Sequence, residues 1–489
     1  MEKFDYVVIG TGAGLMIAET AALNGKKCAI IEKNKFGGTC LTKGCIPSKM
    51  LVYPADMIRE AEKSNRVGLS FQPPAVDWNK ISERIWKQIN FCEIIEENFK
   101  KQNNITIFKG SGEFTSVNTM KVGFSDGTYS DEFEGDVFII ANGAKSFVPP
   151  IINIEQTDYL IPESFFGDKF PQKPWKSLII IGGGAIGAEF AHIFSAFGTK
   201  VTIVEMRDRL LATEEEEISK FVATEFEKNN ITVLTNTAII DAGTNKSLKF
   251  LNIENVITKE KTTIEADAIF IASGVASNSN SLKLENTNVE VDSRGWIKTN
   301  QYLETTQKNV YAIGDINGKY QFRHKANYEA QILMNNLFSN DKKRAACYNA
   351  VPWAIFSWPQ IAHVGLTESQ AKKEGLNYWI GRNYFSQIAG GIAMGINKNS
   401  TDNGFIKIIV GEDKTILGVH VVGPHAAILL QPFVYLMNVK HKCEKQNLKK
   451  CNNTICPQLG NYLPINDSMI IHPSLNELTA WVLENINWK

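Results

Sequence analysis

A chain of 489 residues is too long for one hydrophobic core, so about two to four domains are expected. Its 52 Lys and Arg balance 52 Asp and Glu, which excludes the basic field needed to hold nucleic acid or anionic lipid. Eight cysteines are too sparse for a disulfide-stapled secreted scaffold, so a close Cys pair here reads as catalytic or metal-binding.

The opening "MEKFDYVVIG" runs directly into a strand and lacks the basic-then-apolar order of a secretory signal, so a cytoplasmic address is expected. Tyr6 to Ile9 form a short buried run, Gly10, Gly12 and Gly14 make a turn, a helix follows, and "CAIIEK" is a second strand ending on Glu32. This is the spacing of a dinucleotide fold. Its glycines let the backbone approach a diphosphate at a helix N-terminus, and its carboxylate takes ribose hydroxyls. Leu15 stands where the usual pattern has its third glycine, which should loosen the packing of helix on strand.

Next comes "FGGTCLTKGCIPSKM". On one regular helix, residues five apart are separated by about 7.5 Å of rise and face different ways, too far for their sulfurs to meet. Cys40 is therefore expected on an irregular turn, with Gly37, Gly38 and Gly44 supplying the freedom. Pro47 suits the first turn of a helix through "SKMLVYPADM", which puts Cys45 near a helix N-terminus that stabilises a thiolate. A zinc reading of this pair needs two further ligands.

Segments 46–63 and 78–100 read as helices, "VFIIANGAKSFVPP" as a strand leading to a crossover, and Pro149-Pro150 as the exit from a first domain. The dinucleotide pattern then recurs. "SLIIIGGGAIGAEFAHIFSAFGTKVTIVEM" has Gly182, Gly184 and Gly187 in register, and Glu205 ends its second strand. One such pattern is weak evidence; two complete units point to two nucleotides exchanging electrons.

The chain should re-enter the first domain near "ADAIFIASG", and "NVYAIGDING" reads as a buried strand whose Gly314-Asp315 turn offers a carboxylate to a sugar chain. From about Ala346, "IAHVGLT", "GFIKIIV" and "ILGVHVVG" suit an antiparallel sheet of a separate domain. The apolar run "AAILLQPFVYLM" is short and broken by Pro432, so it does not span a bilayer. "KHKCEKQNLKKCNNTICPQ" holds His441, Cys443, Cys451 and Cys456; it reads as an exposed insertion, or as a zinc or redox-sensing site. In "MIIHPSLNEL", Glu477 follows His472 by five residues and can orient its imidazole if the chain turns at Pro473.

The stretches "GGTCLTKGCIPSK", "GAEFA", "YAIGD", "FSWPQIAHVGLTE" and "HPSLNE" stand in an order that resembles the pyridine nucleotide–disulfide oxidoreductases across nearly the whole chain. The resemblance implies an α/β fold of two Rossmann-like dinucleotide-binding domains plus a C-terminal α+β dimerisation domain. It places an FAD domain at 1–148, an NAD domain at 149–270, a central part completing the FAD domain at 271–345 and an interface domain at 346–489. It implies a redox-active Cys40–Cys45 disulfide with Cys45 against the flavin and Cys40 meeting substrate. Lys49 would pair with Glu189 beside the flavin. His472, oriented by Glu477, would serve the Cys pair of the partner subunit, so a homodimer is needed for activity.

The resemblance also assigns FAD contacts to Gly10, Gly12, Gly14, Glu32, Gly38, Thr39, Lys49, Gly112, Asn142, Gly143 and Asp315. It assigns NAD contacts to Gly182, Gly184, Ile186, Gly187, Glu205 and Gly274. Asn142-Gly143 stands for a frequent Thr-Gly, and Val275-Ala276 stands where an Arg often follows Gly274. Arg323 and His324 replace an apolar approach to the flavin, where only their backbones are needed. Glu205 favours NAD over NADP, although Arg207 and Arg209 lie just beyond it.

The ending "ENINWK" carries no redox tail, and "MIAETAALNG" has no cation for glutathione. Within the family the reading is therefore oxidation of dihydrolipoamide by NAD⁺, free or on a lipoyl domain of a 2-oxoacid dehydrogenase or glycine cleavage complex. Reduction of another low-molecular-weight disulfide, mycothione or glutathione, is the alternative. A redox-silent flavin scaffold or a metal-binding protein is the reading of another class.

Overall fold

The computed structural model describes residues 1–72, 74–411, 416–438 and 468–472. They form two compact units. One comprises Met1–Ala346 with Phe356–Trp358; the other comprises Cys347–Ile355 with the residues from Pro359 on.

The first unit holds two parallel sheets. In the first sheet β1 (Glu2–Ile9), β2 (Cys28–Ile31), β3 (Ile105–Phe108) and β6 (Phe133–Ile140) run parallel in the order β3-β2-β1-β6. Next to β6, β5 (Thr119–Gly123) and β4 (Ser111–Phe114) extend the sheet antiparallel. Every residue of β2 is buried, as befits a strand covered on both faces. The helices of this part are α1 (Gly14–Leu23), α2 (Gly38–Thr42), α3 (Cys45–Lys63) and α4 (Trp78–Lys100). Asp77 starts α4 by accepting the Lys80 N–H at 3.0 Å.

In the second sheet β8 (Ser177–Ile181), β9 (Lys200–Val204), β10 (Ile231–Leu234) and β14 (Ala268–Ile271) run parallel in the order β10-β9-β8-β14. Around it lie α5 (Pro162–Phe165), α6 (Ala185–Ala196), α7 (Glu216–Lys228) and an antiparallel meander of β11 (Thr237–Asn245), β12 (Leu248–Asn255) and β13 (Lys261–Ala266). The segment expected to re-enter the first domain is thus the closing strand of the second sheet. Its run "AIFI" is buried throughout and fills the slot beside β8. The return begins only after Gly274. There β15 (Val275–Ser277) pairs antiparallel with β7 (Ala144–Ser146), and β16 (Val310–Ala312) joins β6 in parallel. Helix α8 (Arg323–Phe338) follows.

The second unit is a five-stranded antiparallel sheet in the order β17-β18-β21-β20-β19. Its strands are β17 (Pro352–Ile355), β18 (Ile361–Gly365), β19 (Tyr378–Tyr384), β20 (Phe405–Gly411) and β21 (Ile416–Val422), joined by the short α9 (Glu368–Lys373) and α10 (Ala389–Ala393). Strand β20 buries every second residue, the pattern of a sheet with one covered face. One of its buried side chains is Lys407, whose ammonium pairs with Glu368 at 2.8 Å; that bond holds the Glu368 carboxyl down to about 2. Helix α11 (Ala426–Asn438) packs on β18 and β21, and among the described residues no helix is long and apolar enough to cross a membrane. The cysteine-bearing segment 440–458 and Glu477 lie outside the described residues.

Candidate active site

The first glycine turn is forced by its surroundings. Gly10 is left-handed at φ +97°, and a Cβ there would overlap the Ala141 carbonyl. Gly14 begins α1, where a Cβ would lie 2.8 Å from Val8 Cγ1 and 3.1 Å from Ala141 Cβ. The close approach of helix to strand is therefore made at Gly14, and Leu15 does not loosen it. Glu32, at the end of β2, is buried and folds back on the turn. It accepts the Thr11 N–H at 3.0 Å, the Thr11 hydroxyl at 2.6 Å and the Asn34 N–H at 2.8 Å.

The Cys segment lies against this turn. Gly37 and Gly38 are left-handed at φ +98° and +68°, and a Cβ on Gly38 would stand 2.7 Å from Gly12 Cα. They feed the chain into α2, so Cys40 sits in a short helix of its own and not on an irregular turn. The irregularity comes later, at Lys43 and Gly44, and α3 then starts on Cys45 with Pro47 in its first turn. Both cysteines are thiols here, Cys40 buried and Cys45 half-buried, with their sulfurs within 4.8 Å. A hydrogen bond to Cys45, reinforced by burial, raises the Cys40 thiol far above its ordinary range; Arg323 and Lys49 oppose the rise.

One helical turn past Cys45, the Lys49 ammonium meets Glu189 Oε2 at 2.6 Å. The other Glu189 oxygen accepts the Phe356 N–H at 2.9 Å, and the Phe356 ring lies 4.8 Å from Lys49 Nζ. Two further pairs join α3 to α6. Asp56 lies 2.8 Å from His192 Nε2, and Arg59 donates to Ser195 Oγ at 2.7 Å.

Both cysteines and the first glycine turn border one cavity of about 460 Å³, which Thr39, Gly112, Asn142, Gly143, Asp315 and Arg323 also line. Three features of its wall fit a flavin dinucleotide. The buried Asn142 Oδ1 has no hydrogen-bond partner, while Asn142 and Asn278 otherwise bond reciprocally through their amide N–H groups and backbone carbonyls. Burial pushes the Asp315 carboxyl up to about 6, against the pull of Lys325, leaving a group able to bond ribityl hydroxyls. The guanidinium of Arg323 also reaches this wall. Sequence reasoning credited that residue with its backbone alone; the signal was a cation at a position usually apolar.

Beneath Asp315 lies a fully buried ion pair, Lys325 to Glu329 at 3.0 Å. Lys325 also donates to the Gly314 carbonyl and to Asn317, while Glu329 accepts the Gly314 N–H at 2.7 Å and the Asn317 amide at 2.8 Å. The turn bearing Asp315 is thereby fixed from both sides of its backbone.

The second glycine turn repeats the first. Gly182 is left-handed at φ +108°, and a Cβ on Gly187 would overlap the Gly182 carbonyl. Glu205 accepts the Gly183 N–H at 2.7 Å and the Arg207 N–H at 2.8 Å. Gly184, Ala185 and Ile186 are exposed, and Gly274, at φ +105°, follows β14. Arg209 bonds the Ala212 carbonyl at 3.1 Å. In the second unit, His472 is half-buried at the end of a stretch tied to α11 through Gln431, which accepts the Ile471 N–H at 3.2 Å.

Known proteins match along the whole of this arrangement. Residues 4–330 match the family model for pyridine nucleotide-disulphide oxidoreductases, and residues 351–456 match that family's dimerisation domain. The dihydrolipoyl dehydrogenase of Bacillus subtilis is 32% identical over 438 residues, 88% of this chain and 90% of that one. The mycothione reductase of Mycobacterium tuberculosis is 31% identical over 454 residues, 90% and 93% of the two chains. The HOCl-induced flavoprotein disulfide reductase RclA from Escherichia coli superposes with a TM-score of 0.76 at 26% identity, covering 98% of this chain and 99% of that one. FAD and a nicotinamide dinucleotide are the cofactors of this family, and its two dinucleotide-binding folds with a dimerisation domain are the fold of this chain. The chain belongs to the pyridine nucleotide-disulphide oxidoreductases.

Proposed function

We propose that the protein is a homodimeric dihydrolipoamide dehydrogenase that oxidises dihydrolipoamide with NAD⁺ through a Cys40–Cys45 disulfide. The observation that carries this reading is the placing of both sulfurs on the cavity walled by the first glycine turn, with the Lys49–Glu189 pair one helical turn beyond Cys45. The dimerisation-domain match and the likeness to dihydrolipoyl dehydrogenases support it.

In this reading the partner's His472, oriented by Glu477, takes the proton from the substrate thiol. The resulting thiolate attacks Cys40 Sγ and breaks the Cys40–Cys45 bond, leaving Cys45 as the thiolate. The second substrate thiol gives up its proton as its sulfur displaces Cys40 and closes the lipoyl ring. Cys40 leaves as the thiol carrying that proton, while the first proton stays on the imidazolium and Cys45 remains the thiolate. FAD, when bound, supplies the two-electron relay from this dithiol to the nicotinamide. Lys49, held by Glu189, keeps a positive charge beside that relay. Gly182, Gly184, Ile186, Gly187 and Gly274 frame the NAD site, and Glu205 takes the ribose hydroxyls that a 2′-phosphate would replace. A cytoplasmic location accompanies this assignment.

A second reading, reduction of another low-molecular-weight disulfide, is favoured by the near-equal likeness to mycothione reductase. Purified protein assayed with NADH and NADPH against lipoamide, glutathione disulfide, mycothione, mercuric ion and Cu(II) separates the two; Cu(II) is included because the RclA structure is also known as a Cu(II) complex. NADH-dependent turnover of lipoamide above the other acceptors is expected. Turnover of another disulfide with lipoamide inert would overturn the dehydrogenase reading while leaving the Cys pair in place.

A further inference from the structure

Arg323 is the first residue of α8, and its half-buried side chain lines the cavity that borders the first glycine turn. Among the described residues it forms no hydrogen bond or ion pair with a protein group. Its neighbours in burial differ. Lys49, Arg59 and Lys325 are each matched by a carboxylate, at 2.6, 2.8 and 3.0 Å. A cation drawn out of water without such a partner loses solvation that nothing in the protein returns. Its position points to an anion supplied from outside the chain.

The place of that anion follows from Gly12. In a dinucleotide-binding turn the second glycine is bare so that the backbone can approach the diphosphate. Arg323 Nη1 stands 3.8 Å from where a Gly12 Cβ would lie. The guanidinium is close enough to Asp315 and Cys40 to favour the charged form of each, which locates it among the glycine turn, the Asp315 carboxyl and the Cys pair. Asp315 is nonetheless not its ion-pair partner, so the fork of donors remains available. A planar guanidinium binds phosphate oxygens in pairs, which a lysine cannot do.

We propose that Arg323 clamps the diphosphate of the bound flavin dinucleotide, adding a side-chain charge to the N–H groups and helix N-terminus of the first turn. This inference rests on the assignment of that turn to FAD.

The test is reconstitution of flavin-free protein. FAD affinity of wild type, R323A, R323Q and R323K is read by flavin fluorescence at low and high salt, alongside the alkylation rate of the reduced Cys pair. R323A and R323Q are expected to hold FAD about ten- to a hundredfold more weakly, the range set by a hydrogen bond to a charged group. They should also show a flatter salt dependence, with R323K recovering part of the loss. Alkylation of the Cys pair should slow alongside, since the guanidinium favours the Cys40 thiolate. R323Q carries the comparison if R323A fails to fold. Unchanged FAD affinity in the neutral variants overturns the proposal. So does a loss equal at all salt concentrations, which marks packing, or a change confined to alkylation, which marks a thiol-directed cation. Wild-type protein that binds no FAD removes the assignment of the turn itself, and with it the clamp.

Discussion

The two glycine turns share a plan and differ in what closes over them. Each has a left-handed first glycine, a bare glycine where helix meets strand, and a glutamate that folds back to accept two backbone N–H groups. Around the first turn, Gly38 presses on Gly12, Arg323 reaches its mouth, and Thr11, Ala13 and Gly14 are buried. Around the second, Gly184, Ala185 and Ile186 are exposed, and a Cβ on Gly184 would meet nothing within 4 Å. The first is a cradle walled on several sides; the second opens to solvent. We read the difference as that between a dinucleotide kept through turnover and one exchanged at each cycle.

The buried Lys325–Glu329 pair belongs to the first cradle alone, and the largest expected effect is there. Lys325→Met leaves Glu329 charged, buried and facing the Gly314 turn without its cation, which should cost about 3–5 kcal/mol of stability. Urea titration followed by circular dichroism measures it. The double variant Lys325→Met/Glu329→Gln should recover part of the loss, because no uncompensated charge then remains. If the single variant unfolds at the wild-type midpoint, the pair does not brace the turn.

The second prediction compares the helix–strand contacts. Alanine at Gly187 would place Cβ on the Gly182 carbonyl, a backbone atom that cannot move without opening the turn. Alanine at Gly14 meets the end of the Val8 side chain, which can yield. Gly187→Ala should therefore cost about 3 kcal/mol or more and Gly14→Ala about 1–2 kcal/mol, by the scale of overpacking. Differential scanning calorimetry of both variants decides the order, and a reversed order would break the comparison.

The sequence made the plan of the two turns legible because their glycines answer local steric demands, and the acids ending β2 and β9 stand at a spacing set by one helix and one strand. The Cys pair was equally legible as a break in helix geometry, since a five-residue separation cannot bring sulfurs together on a regular helix. What was lost depended on distant partners. Nothing local shows that Gly14 can do the work expected of residue 15, because the atoms it must clear, Val8 and Ala141, lie across the fold. The strand Ala268–Ile271 reads equally well as a core strand of either sheet, and only its pairing with β8 decides. Arg323 read as a backbone contact at a usually apolar approach to the flavin until the fold brought its guanidinium to Gly12.

A third effect, smaller than the first two, is confined to the first cradle and depends on pH. The Asp315 carboxyl keeps its proton up to about 6 in the folded cavity because burial disfavours its charge. Unfolded, it ionises near 3.9, so between about 4 and 6 the unfolded chain has released a proton that the folded chain retains. Stability of flavin-free protein should thus fall as pH rises through that window, by about 1 kcal/mol once partial solvent exposure is discounted. Asp315→Asn should remove this slope. Thermal midpoints at pH 4.5, 5.5 and 6.5, corrected with that variant, give the measurement. A slope of opposite sign would mean that Lys325 outweighs burial.

The smallest expected effect tests the glutamates, and it sharpens the comparison because both are placed alike. Glu32→Gln keeps one acceptor oxygen but loses the charge that now serves two N–H groups and the Thr11 hydroxyl. Glu205→Gln loses the same charge but no hydroxyl bond, since Gly183 stands where Thr11 does. Each variant should destabilise its turn by about 0.5–1.5 kcal/mol, with Glu32→Gln at the upper end, because it is buried and holds one more bond. Local hydrogen exchange at Thr11 and Gly183 reads the two turns separately. A walled cradle should confine the effect of Glu32→Gln to its own turn. The open one should let Glu205→Gln raise exchange along the start of α6, where exposed backbone has fewer neighbours to hold it. Equal spread in both variants would show that the walls around the first turn add nothing to its rigidity.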